Sequence, residues 1–209
     1  VVFDSKCTIC RRLGQKLFLK GEKCFSPKCP IIKRPYPPGQ KKKRRPSPLS
    51  EYGRELREKQ RLKVWYNLRE AQLRKYVREV LERRGRIDTA NLLIKKLESR
   101  LDNVVFRLGL AISRPQARQL VSHGYLLVNE KKVKSPSYQV KKGDKITIPP
   151  SKKGKKFFQN IASSLKKYQP PAWLKLDKEK LEGQVIGEPT LEEAGPPAEI
   201  SSIFEFYSR

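Results

Sequence analysis

The sequence predicts an α+β protein: a mostly helical part, a compact helix-and-sheet part, and a cysteine-bearing basic segment ahead of both. Three observations lead there. Residues 50–108 keep apolar side chains near the 3.6-residue helical spacing. Residues 113–148 pass from a capped helix into short runs separated by turn residues. Residues 1–50 hold all four cysteines but show little periodicity.

The elements follow in order. Ser50 is placed to cap a helix running through Arg54, Leu56 and Leu62. A second helix carries Leu68, Leu73, Tyr76, Val77, Val80 and Leu81, with Gly85 as its stop. A third starts at Asp88 or Thr89 and aligns Leu93, Ile94, Leu97 and Leu101, and a short amphipathic turn through Val104, Val105 and Leu108 ends at Gly109. Ser113, Pro115 and Gln116 read as a capping box, Ala117, Leu120 and Val121 as a buried stripe, and Gly124 as the C-terminal stop. Strands are predicted over 125–129, 132–133, 137–140 and 145–148, with turns at Asn129 and Glu130 and at Lys142, Gly143 and Asp144. A helix is expected over 157–167, then a loop anchored by Trp173, and a tail whose residues 200–207 suit one strand or helical turn.

The chain has 209 residues and a net charge of +27, with 37% apolar side chains and a mean hydropathy of -0.70. No apolar run approaches the roughly 18–20 residues of a membrane span, and the first apolar cluster is too short for an export signal. A single histidine, His123, leaves almost no material for a catalytic triad or a histidine metal site. Such an excess of cations calls for a polyanion. The net charge is +12 over residues 1–50, +7 over 51–100, +6 over each of 101–150 and 151–182, and -4 over 183–209. The partner surface is therefore expected along the first part of the chain, and the tail is expected to face elsewhere.

Cys7, Cys10, Cys24 and Cys29 follow the pattern C-x2-C-x13-C-x4-C. Four thiolates close a tetrahedral Zn2+ site and leave no open position, so one structural zinc is expected. Its binding would supply folding free energy that a proline-rich segment cannot draw from a core. Two disulfides, an iron–sulfur cluster or an empty site are the alternatives, and the absence of an export signal argues against the disulfides.

Lys41, Lys42, Lys43, Arg44 and Arg45 are consecutive, and no helix or strand buries five adjacent cations, so they read as an arm on phosphates. Arg114 and Arg118, four apart on one helix, share a face. Gln119, Ser122 and His123 lie beside it, and Lys131, Lys132 and Lys134 follow on the hairpin. That combination suits a folded RNA backbone, through phosphate and 2′-hydroxyl contacts. His123 has no paired acid to make it a general base.

The stretch SRLDNVVFRLGLAISRPQARQLVSHGYLLVN, residues 99–129, resembles the RNA-binding domain named after bacterial small-subunit ribosomal protein S-four. The cysteine frame, YPPGQ at 36–40, LSEYGRELREKQ at 49–60, SYQV at 137–140 and EFYSR at 205–209 are similar to that family in its zinc-bearing form. The resemblance implies a discontinuous helical domain with an inserted S-four domain, whose helices pack on a small antiparallel sheet. The expected segmentation is a zinc-binding, basic segment at 1–45, a helical domain at 46–98 completed by a tail at 190–209, and an S-four domain at 99–189 with its core at 99–150. It also implies a cytoplasmic, ribosomal protein that binds small-subunit rRNA early and nucleates assembly of the subunit body. Proteins S-five and S-three would be neighbours, and the run from Lys41 to Arg45 would lie by the channel where mRNA enters, with an influence on decoding accuracy. Arg11 and Arg12 join Arg114, Arg118, Gln119, Ser122, His123, Lys131 and Lys132 as expected rRNA contacts. Ile203, Phe204 and Phe206 would pack the tail.

Two other functions fit parts of the chain. An RNA-modifying enzyme would need a catalytic domain, and outside residues 99–150 there is no nucleotide-binding glycine loop or paired-carboxylate pocket. A zinc-containing DNA-binding regulator would need dimer contacts, and no heptad seam is visible. The chain is expected not to be an enzyme and to take no small-molecule substrate.

Overall fold

The computed structural model describes residues 5–39, 48–82, 88–154, 158, 161, 165 and 168–208. The chain forms two compact units, one of Val1–Gly85 with Pro196–Arg209 and one of Arg86–Gly195. The helix Thr89–Glu98 and the short helix Leu191–Ala194 pack on each other within the second unit.

The first unit is helical. Three short helices, α1 (Lys6–Leu13), α2 (Glu22–Phe25) and α3 (Pro30–Lys33), carry the cysteine segment. Helix α4 (Glu51–Trp65) starts at Ser50, whose side chain accepts a hydrogen bond from the Gly53 amide at 3.2 Å, as the sequence suggests. Helix α5 (Glu70–Leu81) buries Leu73, Val77 and Val80, while Leu81 is exposed; Gly85, its expected stop, lies outside the described residues.

The second unit holds α6 (Thr89–Glu98), α7 (Leu101–Arg107), α8 (Arg114–Ser122), α9 (Pro150–Lys153) and α10 (Leu191–Ala194) around five strands. These are β1 (Leu127–Val128), β2 (Lys131–Lys132), β3 (Lys145–Thr147), β4 (Leu174–Asp177) and β5 (Glu182–Val185), ordered β2-β1-β3-β5-β4 and antiparallel throughout. Asn129 and Glu130, both at positive φ, make the two-residue turn of the β1–β2 hairpin. Asp88 caps α6 by accepting from the Asn91 amide at 3.0 Å. The core joins Leu101 and Val104 of α7, and Leu108 just past its end, to Val121 of α8, Ile146 of β3 and Trp173. Gly183 of β5 faces Leu108 so closely that a Cβ there would overlap its side chain.

Three expectations change. Residues 137–140 are not a strand: Gln139 bridges to Arg100, and the Leu101 amide donates to the Tyr138 carbonyl at 2.8 Å. The run pairs with the lead into α7, so it is not free to join the sheet. Strands β4 and β5 were not expected, because LKLD and EGQV are only four residues each and a glycine interrupts the second. The capping box is modified: Gln116 reaches back to the Ile112 amide at 2.9 Å, and Ser113 makes no side-chain cap. Of the helix expected over 157–167, Phe158, Ile161 and Leu165 are helical and buried, and the rest lies outside the described residues.

The tail is a helix, α11 (Ile200–Ser208), packed along α4 and reaching α5. Its β-branched and aromatic residues suit a strand locally, but the first unit offers no sheet edge among the described residues, and Ile200, Ile203 and Phe206 fall on one helical face. Lys59 of α4 sits 4.2 Å from the Phe206 ring centroid and pairs with Glu70 at 2.8 Å. Lys63 reaches the other oxygen of Glu70 at 3.0 Å, and the Tyr207 hydroxyl donates to Glu70 at 2.7 Å. Burial opposes the charge on Glu70, yet hydrogen bonds from Lys59, Tyr207 and Lys63 outweigh it and hold the carboxyl at about 2. Burial, reinforced by the Glu70 hydrogen bond, pushes the Tyr207 phenol well above its ordinary range.

Because Glu70 is depressed in the folded chain, its contribution is complete above the unfolded carboxyl value of about 4.3 and fades as pH falls toward about 2. Glu70→Gln is therefore expected to weaken α11 docking at neutral pH and to lose less stability between those two values. Acid titration by circular dichroism checks this; identical acid profiles for the two proteins would count against it.

Candidate nucleic-acid interface

The second unit is organised by polar groups as much as by apolar ones. Glu98, Arg100, Asp102, Asn103 and Arg114 are all buried between α6, α7 and α8. The Glu98 carboxylate accepts from Arg107 Nη2 at 2.8 Å and Nε at 2.9 Å, and from Asn103 Nδ2 at 2.6 Å. Arg107 Nη2 also donates to the Ala194 carbonyl at 2.7 Å. Asn103 Oδ1 in turn accepts from Arg114 Nε at 2.8 Å. Arg100 grips Asp102 through two bonds, 3.1 and 2.8 Å, and Arg118 stands 3.8 Å from the same carboxylate. Paired, the charges are tolerable inside a protein; removal of one partner strands the other.

This network redirects part of the expected RNA face. Arg114 and Arg118 do share a side of α8, but that side turns toward α7. Arg114 is only 7% exposed, and its guanidinium lies 4.6 Å from the Phe106 ring centroid. Arg114 is thus held within the network by Asn103 and Phe106, and Arg118 is half-buried. Spacing places two arginines together but does not say which way they turn; Asp102 and Asn103 decide it.

The remaining expected contacts are at the surface. Gln119, Ser122 and His123 are exposed at the end of α8, and Lys131, Lys132 and Lys134 are exposed on the hairpin. Gly124, at φ 65°, joins these two groups: the Lys132 side chain lies where a Cβ would stand. Two further residues belong here that the sequence alone did not reveal. Tyr125 meets the His123 ring edge-on at 6.4 Å, and Lys152 Nζ lies 5.3 Å from the Tyr125 centroid. Only the fold brings Lys152 of α9 to this place.

In the first unit, Arg12 is exposed, while Arg11 holds the chain together: its Nε donates to the carbonyls of Arg34 and Tyr36 at 3.0 Å each, and its guanidinium lies 5.0 Å from the Tyr36 ring. The cysteines are free thiols, with Cys10, Cys24 and Cys29 buried and Cys7 half-buried. Burial pushes the Cys10 thiol up, a backbone hydrogen bond from Leu17 opposes this, and Cys24, Cys7 and Cys29 all add to the rise. The Lys20 amide donates to Cys24 Sγ at 3.3 Å. The four sulfurs are thus within electrostatic reach, although among the described residues no group of three or more His, Cys, Asp or Glu is arranged to hold a metal ion. Lys41, Lys42, Lys43, Arg44 and Arg45 lie outside the described residues. Among the described residues no helix is long and apolar enough to cross a membrane.

A family model described as the ribosomal protein S4/S9 N-terminal domain matches residues 2–98, and one described as the S4 domain matches residues 99–146. This chain belongs to the uS4 family of small ribosomal subunit proteins. The small ribosomal subunit protein uS4 of Dictyoglomus turgidum is 49% identical to it over 203 residues, covering 97% of this chain and 96% of that protein. Those of Halothermothrix orenii and Thermus thermophilus are 46% and 43% identical over the same length and the same shares. As a uS4 family member the chain is a ribosomal protein and not an enzyme.

Glu98→Ala is expected to destabilise the second unit by about 3–5 kcal/mol, since it leaves Arg107 without its carboxylate. Hydrogen exchange of the α7 and α8 amides measures this. Protection unchanged from the parent would mean that the network contributes little.

Proposed function

We propose that this chain is a primary rRNA-binding constituent of the small ribosomal subunit, acting in the cytoplasm on the ribosome, and that it nucleates assembly of the subunit body. The single observation that carries this reading is the continuous surface of Gln119, Ser122, His123, Lys131 and Lys132, in a member of the uS4 family. Hydroxyl and amide groups there suit 2′-hydroxyls, and the lysines suit phosphates. Arg12 and Arg118 offer the same chemistry.

The finer parts of the proposal rest on the family resemblance. Proteins S-five and S-three are the neighbours, translational accuracy depends on the S-five contact, and the run Lys41, Lys42, Lys43, Arg44 and Arg45 lines the path of incoming mRNA. Cys7, Cys10, Cys24 and Cys29 hold one structural Zn2+, supported by their C-x2-C-x13-C-x4-C spacing, their free thiols and the two backbone amides directed at sulfur. An iron–sulfur cluster is the lesser alternative.

Replacing Lys131 and Lys132 by alanine is expected to weaken small-subunit rRNA binding and to lower the slope of log K against log salt by about 0.7–0.9 for each phosphate no longer neutralised. Alanines at the five positions of the basic run should spare rRNA binding and impair unwinding of structured messages. Co-sedimentation with small subunits gives the cellular check; a chain found only in free fractions would defeat the proposal. For the metal, the purified chain should contain one zinc, and chelation should unfold residues 6–33, read by circular dichroism and proteolysis. Absence of metal together with intermolecular disulfides would overturn that part.

A further inference from the structure

Phe18 and Phe25 stand at the surface of the first unit. Phe25 is 71% exposed, the largest exposure among the large apolar side chains described, and Phe18 is 39% exposed. Both are held outward by buried neighbours: Leu17 and Leu19 flank Phe18, and Cys24 precedes Phe25 at the end of α2. Their rings lie 5.0 Å apart, tilted by 32°, and Lys16 Nζ stands 5.2 Å from the Phe18 centroid. Phe18 has φ 52°, in the left-handed region that side-chain-bearing residues rarely adopt. Strain of that kind, kept in order to present a ring to solvent, points to a use for the ring.

The surroundings state which use. Between Arg11 and Arg34 there are eight basic side chains and one acidic one, Glu22. Lys20, Lys23 and Lys28 are all exposed beside the aromatic pair in sequence. A flat apolar surface set among cations fits a partner that offers flat π faces on a polyanionic chain. A protein partner would more often meet an apolar patch with a polar, mixed-charge rim.

We propose that the outward face of Phe25, backed by Phe18, is a stacking platform for an unpaired base of small-subunit rRNA, with Lys16, Lys20 and Lys23 holding the adjoining phosphates. This deepens the rRNA-binding reading above and rests on it. Aromatic stacking gives affinity without sequence preference and without releasing counterions, whereas the lysines supply the salt-dependent part.

The test uses the full chain and transcribed small-subunit rRNA. Phe25→Leu keeps an apolar side chain but removes the π face. It is expected to weaken binding roughly five- to hundredfold with the salt slope unchanged, while Phe25→Tyr stays within about twofold on the same scale. Lys16→Ala with Lys23→Ala should instead lower the slope. Ultraviolet cross-linking of the unmodified chain should yield a nucleotide adduct on Phe25, located by mass spectrometry. If Phe25→Leu binds as the parent does while the Lys131 and Lys132 replacements still weaken binding, the platform is refuted and the rRNA reading stands. If the parent chain itself does not bind rRNA, both fail. A Phe25 cross-link to a ribosomal protein in irradiated subunits, with none to RNA, also overturns the platform.

Discussion

The Glu98 carboxylate is the constraint around which the second unit is arranged. It is fully buried, and its charge is acceptable there only because Arg107 and Asn103 donate to it. Asn103 then uses its oxygen for Arg114, and Arg107 uses its remaining reach for the end of α10. Each donor has its own position set by the next bond. Helices α6, α7, α8 and α10 are thereby held in one arrangement with little freedom to slide. Apolar packing alone tolerates such sliding, because it has no direction.

That arrangement decides which surface is left for a partner. With Arg114 and, in part, Arg118 engaged below, the end of α8 presents Gln119, Ser122 and His123, and the hairpin closes against it through Lys132 over Gly124. The sheet supports this from beneath: Gly183 lets Leu108 rest on β5, and Ile146 of β3 pairs with Gly183. A rigid body with an exposed cationic rim suits a polyanion whose phosphates hold fixed positions.

The first unit solves a different problem. Its sequence is too polar and too basic for a large core, so it is held by specific clasps. The tail helix α11 is fastened through Lys59, which is nearly buried between Glu70 and the Phe206 and Tyr207 rings. Near the start of the chain, Arg11 ties down the carbonyls of Arg34 and Tyr36. Both are cations with structural duties inside a chain of net charge +27, so the count of positive side chains overstates the number available to a partner.

Most elements were legible because their signals are local. Ser50 and Asp88 are real caps, Asn129 and Glu130 make the expected turn, and the apolar stripes of α5 (Leu81 excepted), α6 and α8 are buried where periodicity places them. The spacing of the four cysteines and the uneven charge are likewise properties of the sequence alone. What the sequence could not decide was orientation and pairing across distance. It placed Arg114 and Arg118 on one face without showing that Asp102 and Asn103 would draw that face inward. It showed an apolar tail without showing that the tail is a helix, because only the groove beside α4 selects that form. It left β4 and β5 unread, since two short strands form only when they pair with each other and β5 also pairs with β3. Local spacing determines which residues move together; burial of charge and the partners of the backbone determine where they face.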